Sequence, residues 1–318
     1  ERISSLSTFY ILKKSFKDYK NEINQNLLLK RFYKETINVL TSSLEYYPKG
    51  ITYNHVINDL KGLIMSSILI DQNDITLKSF NLLLKELDIV VDREGFLREG
   101  SSHYQLIFCR WICELSYFFK KSDNKVFLEK LNPYLIKILK ATNFFFVTDE
   151  NNNIVNIPLF GDLSPDFNVE WMISYFDKDE NNNSSYGPKI LKELELELNF
   201  SQNDYVSYSS YSKLTKNNWV IFIKHSNNDG TFYPSHEHQD FGSFVLFYNS
   251  KKIIVDRGRE NYLKSHFNDQ FCDSTSHNSI TINSLPLTIN SNNHFFSKSY
   301  KKSILKKKIS FNETKIKL

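Results

Sequence analysis

The hydrophobic pattern of the chain changes its period near residue 145, and this change most restricts the folds that the chain can adopt. From residue 1 to about 145, apolar residues recur at spacings of three and four over several turns, which predicts amphipathic helices. Beyond Tyr205, short runs rich in β-branched and aromatic residues predict strands. Helices followed by strands indicate a multidomain α and β chain, with a helical domain before a β-sandwich.

Six helices are predicted before residue 145, at 3–19, 26–46, 55–70, 75–90, 102–120 and 126–139. Successive antiparallel helices of this length form either a bundle or a curved α/α toroid. A strand pair is predicted within 144–157, and two short helices near 167–177 and 187–196. The later strands are predicted at 205–211, 219–225, 243–248, 253–256, 278–283 and 303–311.

The pattern therefore divides the chain into three parts. Residues 1–145 are expected to form the helical domain, and residues 146–200 an inter-domain connection with short helices. Residues 201–318 are expected to form the β-sandwich.

The densest group of polar residues that could perform chemistry lies in residues 235–262. Two apolar runs, 244–248 and 253–255, are separated by Asn-Ser-Lys-Lys, which predicts a hairpin with a four-residue turn. His236, His238 and Asp240 precede this hairpin. In an extended segment, side chains two residues apart share a face, so these three are predicted to point the same way.

Asp256 follows the hairpin and could close on this group from the neighbouring strand, while His277 begins a later predicted strand. Two imidazoles and a carboxylate suit a zinc ion, or a group that transfers protons and binds anions. A His-x-His pair in a β protein is also common as a solvated or core pair, and spacing alone leaves these alternatives open.

Composition narrows the functional classes. The net charge of +4 is compatible with a polyanionic substrate, but no nucleic-acid motif accompanies it. No apolar stretch approaches the roughly 20 residues that span a bilayer, so no membrane span is expected. The three cysteines form neither a disulfide framework nor a zinc ribbon. Because Glu1 begins in mid-pattern, a fragment lacking both ends of a longer protein is expected.

Five motifs occur in an order that is typical of one known protein family. An Asn-His pair begins the predicted helix at 54–55, and a Glu-x-Ser-x-x-Tyr segment spans 99–104. The stretch Ile-Pro-Leu-Phe-Gly-Asp at 157–162 resembles the link between that family's domains. The fourth motif is a block of His-x-His-x-Asp, strand and Asp-x-Gly at 236–258, and a His-Asn pair follows at 277–278.

Together, the five motifs resemble the heparinase II/III-like polysaccharide lyases. This resemblance implies an incomplete α/α toroid followed by an antiparallel β-sandwich. It also implies β-elimination at a uronic acid in an acidic polysaccharide, glycosaminoglycan-like or alginate-like. A periplasmic or secreted location is expected by the same analogy. Arg257 and Arg259 depart from the family pattern. They would suit a more highly charged substrate, or they would mark a divergent member with altered activity.

The resemblance assigns the catalytic roles to Asn54, His55, Tyr104 and His236. Asn54 and His236 would neutralise the sugar carboxylate so that an enolate-like intermediate can form. Tyr104 would be the acid and, for some substrate stereochemistries, also the base, with His55 as the alternative base. Free tyrosine titrates near pH ~10, so a cationic or hydrogen-bonding neighbour is expected beside Tyr104.

The remaining site residues follow from the same resemblance and from their positions in the motifs. His238, Asp256 and His277 would bind one structural divalent metal, zinc by analogy, and no organic cofactor is expected. Four residues are expected to bind or support the substrate: Glu99, His103, Arg257 and Arg259.

Other interpretations stay open. Asn54 could serve only as a helix N-cap, and Tyr104 could be a half-buried core residue. A non-catalytic protein that binds carbohydrate or assembles surface polysaccharide could keep the same fold. A hydrolase would need two carboxylates across the bond, for which Glu99, Glu237 and Asp240 are candidates.

Overall fold

The computed structural model describes residues 1–45, 53–177, 185–198, 204–225, 236–259 and 271–279, with the backbone of 310–312 and 315–317. Helices come first in this part of the chain. They are α1 (Arg2–Lys13), α2 (Phe16–Gln25), α3 (Leu27–Ser42), α4 (Asn54–Leu69), α5 (Asn73–Val90), α6 (Ser102–Lys121), α7 (Lys125–Phe144), α8 (Val169–Phe176) and α9 (Gly187–Glu193).

Strands dominate after α9, as predicted. The strands are β1 (Val147–Thr148), β2 (Ile154–Asn156), β3 (Tyr205–Ser207), β4 (Tyr211–Lys216), β5 (Trp219–Lys224), β6 (Phe244–Tyr248), β7 (Lys251–Ile254), β8 (Ser310–Asn312) and β9 (Lys315–Lys317). Strands β3 to β7 form one antiparallel sheet in sequence order, and β1–β2 and β8–β9 form separate antiparallel pairs. The order of helices before strands is thus confirmed, and the chain is helix-rich with a five-stranded antiparallel sheet.

Two element predictions were wrong because side-chain contacts interrupt the hydrophobic pattern. The helix predicted at 3–19 is two helices, since Ser15 caps α2 by accepting a hydrogen bond from the Asp18 backbone N–H at 3.1 Å. The strand predicted at 205–211 is a hairpin, in which Ser207 pairs with Ser212 across the turn between β3 and β4.

The predicted β6–β7 hairpin is present, but its turn is shorter than four residues. Asn249 and Ser250 both have positive φ angles, 46° and 62°, and form a two-residue turn of the kind that matches strand twist. Lys251 and Lys252 therefore belong to β7. Of the strand predicted at 278–283, Asn278 and Ser279 lie in a turn and a bend, and 280–283 lie outside the described residues.

Two hydrophobic clusters stabilise this arrangement. The larger cluster is built mainly from the helices, with α6 almost wholly buried. The smaller one is aromatic and joins the end of α7 to the sheet, with Phe144, Phe145, Phe160, Tyr211 and Phe222 in mutual ring contact. This cluster connects the helical part of the chain to the five-stranded sheet. The domain limits at 145 and 200 stay a prediction.

None of the described helices has both the length and the apolar character needed to cross a bilayer.

Three segments that are distant in sequence cross at Gly161. The His236 backbone N–H donates to the Glu99 carbonyl oxygen at 3.2 Å, and the Asp162 N–H donates to the His236 carbonyl oxygen at 3.0 Å. Gly161 has a φ of +70°, and a Cβ there would overlap the His236 carbonyl oxygen and lie 2.7 Å from that of Gly100. The crossing therefore requires glycine for both its conformation and its closeness.

We expect Gly161→Ala to destabilise the protein more than Gly242→Ala. Gly242 also has a positive φ, +74°, but a Cβ there meets nothing within 4 Å. Both variants carry the conformational cost of roughly 1–2 kcal/mol, and Gly161→Ala adds an overpacking cost of roughly 1–3 kcal/mol. Urea unfolding of both variants measures the difference in the free energy of unfolding. Equal losses of stability would show that the close contacts at Gly161 add no cost of their own.

Candidate active site

Asn54 is held by Glu99 at the start of α4. Oε1 of Glu99 accepts from the Asn54 backbone N–H at 2.6 Å, and Oε2 accepts from the Asn54 side-chain Nδ2 at 2.5 Å. A carboxylate at a helix N-terminus also interacts favourably with the helix dipole. The side chain of Asn54 thus does not act as an N-cap, because its amide is oriented by Glu99.

His236 joins Asn54 to Asp162. Its Nε2 lies 3.3 Å from Asn54 Nδ2, and its Nδ1 lies 3.0 Å from Asp162 Oδ2. When the Nδ1–H of a neutral His236 donates to Asp162, its Nε2 is an acceptor for Asn54. In a protonated His236, Nε2 is a donor instead. The imidazole is therefore fixed in orientation by contacts at both ring nitrogens.

Tyr104 stacks on His236. The two rings lie 3.7 Å apart between centroids and are inclined by 15°. Tyr104 is in the first turn of α6, whose start is capped by Ser101 Oγ, 3.1 Å from the Tyr104 backbone N. The structure thus brings together Asn54, Tyr104 and His236, three of the four predicted catalytic side chains, from distant parts of the chain.

His55 has a different environment from Asn54. Its side chain is 61% exposed, and its Nδ1 lies 2.8 Å from Glu45 Oε2. In this conformation the predicted alternative base is on the surface, paired with a carboxylate that precedes α4.

Glu99 and His103 are both fully buried. His103 Nδ1 accepts from the Ser164 backbone N–H at 3.0 Å, and burial lowers the pKa of His103 to about 4. A neutral histidine with an accepting Nδ1 carries its proton on Nε2. Both residues, predicted to bind or support the substrate, hold neighbouring groups here and do not face solvent.

Asp162 is the residue that links the candidate catalytic group to the predicted metal ligands. Its Oδ1 lies 2.7 Å from His238 Nε2, complementing the contact of Oδ2 with His236. Burial alone would raise the pKa of Asp162, but the hydrogen bonds from the two histidines hold it well below its usual range. Asp162 is therefore a buried carboxylate shared by two imidazoles.

The two predicted substrate-binding arginines differ in position. Arg257 is exposed, whereas Arg259 is partly buried with Nη1 3.5 Å from both carboxylate oxygens of Asp162. Arg259 adds positive charge behind His236, and Arg257 remains accessible to an anionic ligand.

The predicted metal ligands lie in one buried neighbourhood. His277 Nδ1 is 2.7 Å from Asp256 Oδ2, and the rings of His238 and His277 lie 5.2 Å apart between centroids. Buried imidazole atoms His238 Nδ1 and His277 Nε2 have no hydrogen-bond partner among the described residues. These two unpartnered nitrogens are compatible with a divalent metal ion, because neutral imidazole is a common zinc ligand.

The tightest group of potential ligand atoms differs from the predicted set. Within the described residues, Asp162, His238 and Cys272 offer ligand atoms that all lie within 4.8 Å of one another. His238 thus belongs to both sets. Burial lowers the pKa of His238, but Asp162 and Cys272 outweigh burial and raise it to about 10, so a metal ion would have to displace a proton.

Lys224, at the end of β5, supports the segment that carries both histidines. Its ammonium group lies 2.7 Å from Asp240 Oδ1 and donates to the Gly100 carbonyl oxygen at 2.9 Å. Asp240 therefore does not join His236 and His238 as the alternation predicted, because the segment at 236–240 is irregular and not an extended strand. Instead, the buried Lys224–Asp240 ion pair connects this segment to Gly100, in the loop before α6.

Sequence reasoning missed three residues of this site: Asp162, Lys224 and Cys272. Asp162 was within the link motif at 157–162, where an acidic residue after glycine was a usable signal. Lys224 lies in an apolar strand, where a cation predicts a buried partner. Cys272 had no such signal, because the carboxylate and the imidazole beside it come from distant segments.

The pH dependence of stability offers a test of the His103 environment. Because the pKa of His103 is about 4 in the folded protein and 6.5 as the reference value, the unfolded chain binds its proton first as the pH falls. We expect a loss of roughly 3 kcal/mol between pH 6.5 and pH 4 from this group. His103→Asn keeps an acceptor for the Ser164 N–H without titrating, so its urea-unfolding stability is expected to fall less steeply over that range. Equal slopes would contradict this account.

Comparison with known proteins supports the sequence resemblance. Residues 203–303 match the family model described as heparinase II/III-like, C-terminal. A search of curated protein sequences gives no significant match. A crystal structure of heparinase III has 16% identity and a TM-score of 0.59, and the match covers 81% of this chain and 43% of that one.

A second structure is a mutant of the heparan sulfate lyase HepC from Pedobacter heparinus. It has 15% identity and a TM-score of 0.56, and the match covers 81% of this chain and 41% of that one. The present chain thus spans about two fifths of the length of these structures, and at this identity the likeness establishes the fold. The resemblance to heparinase II/III-like lyases predicted from the sequence motifs is therefore confirmed, by the C-terminal family match and by the fold shared with heparinase III structures.

Proposed function

We propose that this protein is a polysaccharide lyase that cleaves a uronic-acid-containing acidic polysaccharide by β-elimination. The observation that carries the proposal is the convergence of Asn54, Tyr104 and His236. An amide, a phenol and an imidazole in contact are the groups that this reaction needs. The family match and the shared fold support the same class of reaction.

The fold details of the family form part of this proposal. The helices α1 to α7 would be a portion of an incomplete α/α toroid, and the five-stranded sheet would be one layer of a β-sandwich. The substrate would then lie in the cleft where α4, the start of α6 and the 236–240 segment meet.

Asn54 and His236 are the residues that would neutralise the carboxylate of the sugar. One N–H of the Asn54 amide donates to Glu99, and the other faces Nε2 of His236 and would turn to the sugar carboxylate when His236 is protonated. A protonated His236, supported by Asp162 behind it, adds a second donor. These fixed donors stabilise the charge that develops when the proton next to the sugar carboxylate leaves.

Tyr104 is the residue that would act as the base and the acid of the reaction. Its ring is fixed against His236, whose positive charge in the protonated state favours the phenolate needed for a base. The same hydroxyl would protonate the leaving glycosidic oxygen. His55 would serve as the base only after leaving Glu45, since the two are paired in this conformation.

A structural divalent metal, zinc by family resemblance, would be held at His238 with partners from Asp256 and His277 or from Asp162 and Cys272. Bound there, it would fix the segments 236–240 and 271–279 relative to each other. Asp162 links this group of residues to His236, because it contacts both His236 and His238.

A glycoside hydrolase is less well supported by the geometry. The three candidate carboxylates are all engaged with protein groups: Glu99 with Asn54, Asp240 with Lys224, and Glu237 3.5 Å from the same lysine. Hydrolysis needs one carboxyl group free to protonate the leaving oxygen and another free for attack or water activation.

A periplasmic or secreted location, where such polymers are met, completes the proposal.

The proposal predicts that Tyr104→Phe abolishes turnover without abolishing binding. The phenylalanine ring can still stack on His236, but the proton donor is lost, so we expect kcat to fall by roughly 100-fold or more. The assay is the near-ultraviolet absorbance of unsaturated uronate products, with the protein at its natural full length. Heparan sulfate, hyaluronan, alginate and bacterial exopolysaccharides form the substrate panel.

Tyr134→Phe is the matched control, because Tyr134 lies on α7 and its hydroxyl donates to Asp88 outside the site. Product formation that is lost in Tyr104→Phe and kept in Tyr134→Phe supports the lyase. Binding of a polymer without product, unaffected by Tyr104→Phe, would replace it with a non-catalytic carbohydrate-binding or polysaccharide-assembly function.

A further inference from the structure

Cys272 lies beside His238 because a backbone hydrogen bond joins the segment that carries Cys272 to the segment that carries His238. The Gln239 backbone N–H donates to the Cys272 carbonyl oxygen at 2.9 Å, which places the 271–279 segment alongside 236–240. The Cys272 thiol, an Asp162 oxygen and a His238 nitrogen all lie within 4.8 Å of one another. Such spacing brings the thiol within reach of any ion bound by His238.

The neighbourhood also contains buried imidazole nitrogens that have no hydrogen-bond partner among the described residues. His238 Nδ1 and His277 Nε2 are unpartnered, and the side chains of these residues are 1% and 0% exposed. Leaving such groups buried and unpaired is costly, whereas a bound cation would satisfy them. Imidazole together with thiolate is a donor set that selects zinc-class ions over magnesium or calcium.

Asp256 is already engaged as a hydrogen-bond acceptor. Its Oδ2 is 2.7 Å from His277 Nδ1, and its Oδ1 accepts from the Gly258 backbone N–H at 2.9 Å. A carboxylate that contacts the far nitrogen of a histidine fixes the ring and its tautomer. The contacts of Asp256 therefore describe a residue that orients His277.

We propose that Cys272 supplies a thiolate ligand to a zinc-class divalent metal bound at His238, while Asp256 orients His277 and does not itself bind the metal. On binding, the Cys272 thiol and the protonated His238 ring each release a proton to solvent, and the sulfur and a His238 nitrogen form the bonds to the metal. This inference deepens the metal site of the proposed function, because it decides between the two ligand sets named there, and it is independent of whether the protein cleaves any polysaccharide.

Cobalt(II) is the probe, because a thiolate bound to it absorbs in the near ultraviolet whereas nitrogen and oxygen ligands do not produce that band. The full chain, stripped with a chelator, is titrated with cobalt(II). We expect one ion per chain together with the thiolate band. Cys272→Ser is expected to lose the band and to bind cobalt roughly tenfold or more weakly.

Two matched variants make the result specific. Cys109→Ala removes a thiol buried in α6 and is expected to keep the band. Asp256→Asn keeps an accepting oxygen for His277 and is expected to keep the band as well. Far-ultraviolet circular dichroism verifies that each variant is folded.

Three results would overturn the proposal. They are cobalt binding without a thiolate band in the unmodified chain, a band that persists in Cys272→Ser, and the lack of stoichiometric cobalt binding by the unmodified chain. Loss of the band in Asp256→Asn, with Cys272 intact and the variant folded, would return Asp256 to the ligand set.

Discussion

The candidate site depends on one buried carboxylate, that of Asp162. Removing a carboxylate from water costs several kcal/mol unless partners compensate for it, and here two imidazoles and the nearby Arg259 do so. The same contacts fix the rings of His236 and His238. One residue in the link between helices and sheet thereby couples the group proposed for chemistry to the group proposed for metal binding.

This coupling explains why the surrounding backbone is so tightly constrained. Asp162 can reach both histidines only because the link passes against the backbones of Gly100 and His236, where Gly161 leaves room. Lys224 and Asp240 fasten the neighbouring segment from the other side. Side chains that would otherwise be separate motifs thus form one rigid neighbourhood, in which Asn54 and Tyr104 have fixed orientations.

Much of the fold could be predicted because it depends on local patterns. The change of period near residue 145 separated helices from strands, and the motifs nominated Asn54, Tyr104 and His236, which the fold brings together. The rest depends on contacts between distant segments. The alternation rule failed at Asp240 because the segment at 236–240 is not an extended strand, and the Asp240 carboxylate pairs with Lys224 on β5. The burial of His103 beside Ser164 had no local signal. Ser15 divides a predicted helix because capping by a single hydroxyl outweighs hydrophobic periodicity.

The sheet and the site have very different sequence separations. Within the described residues, strands β3 to β7 pair with their neighbours in sequence, whereas the contact between Asn54 and His236 joins residues 182 positions apart. Contacts of long sequence separation carry the larger loop-closure entropy and form more slowly. We expect the sheet to be protected from hydrogen exchange early in refolding and the Asp162 amide to be protected later, a sequence that pulse-labelling measures. Assembly of the candidate site would then be a late folding event, so that a partly folded chain would have the sheet before these side chains come together.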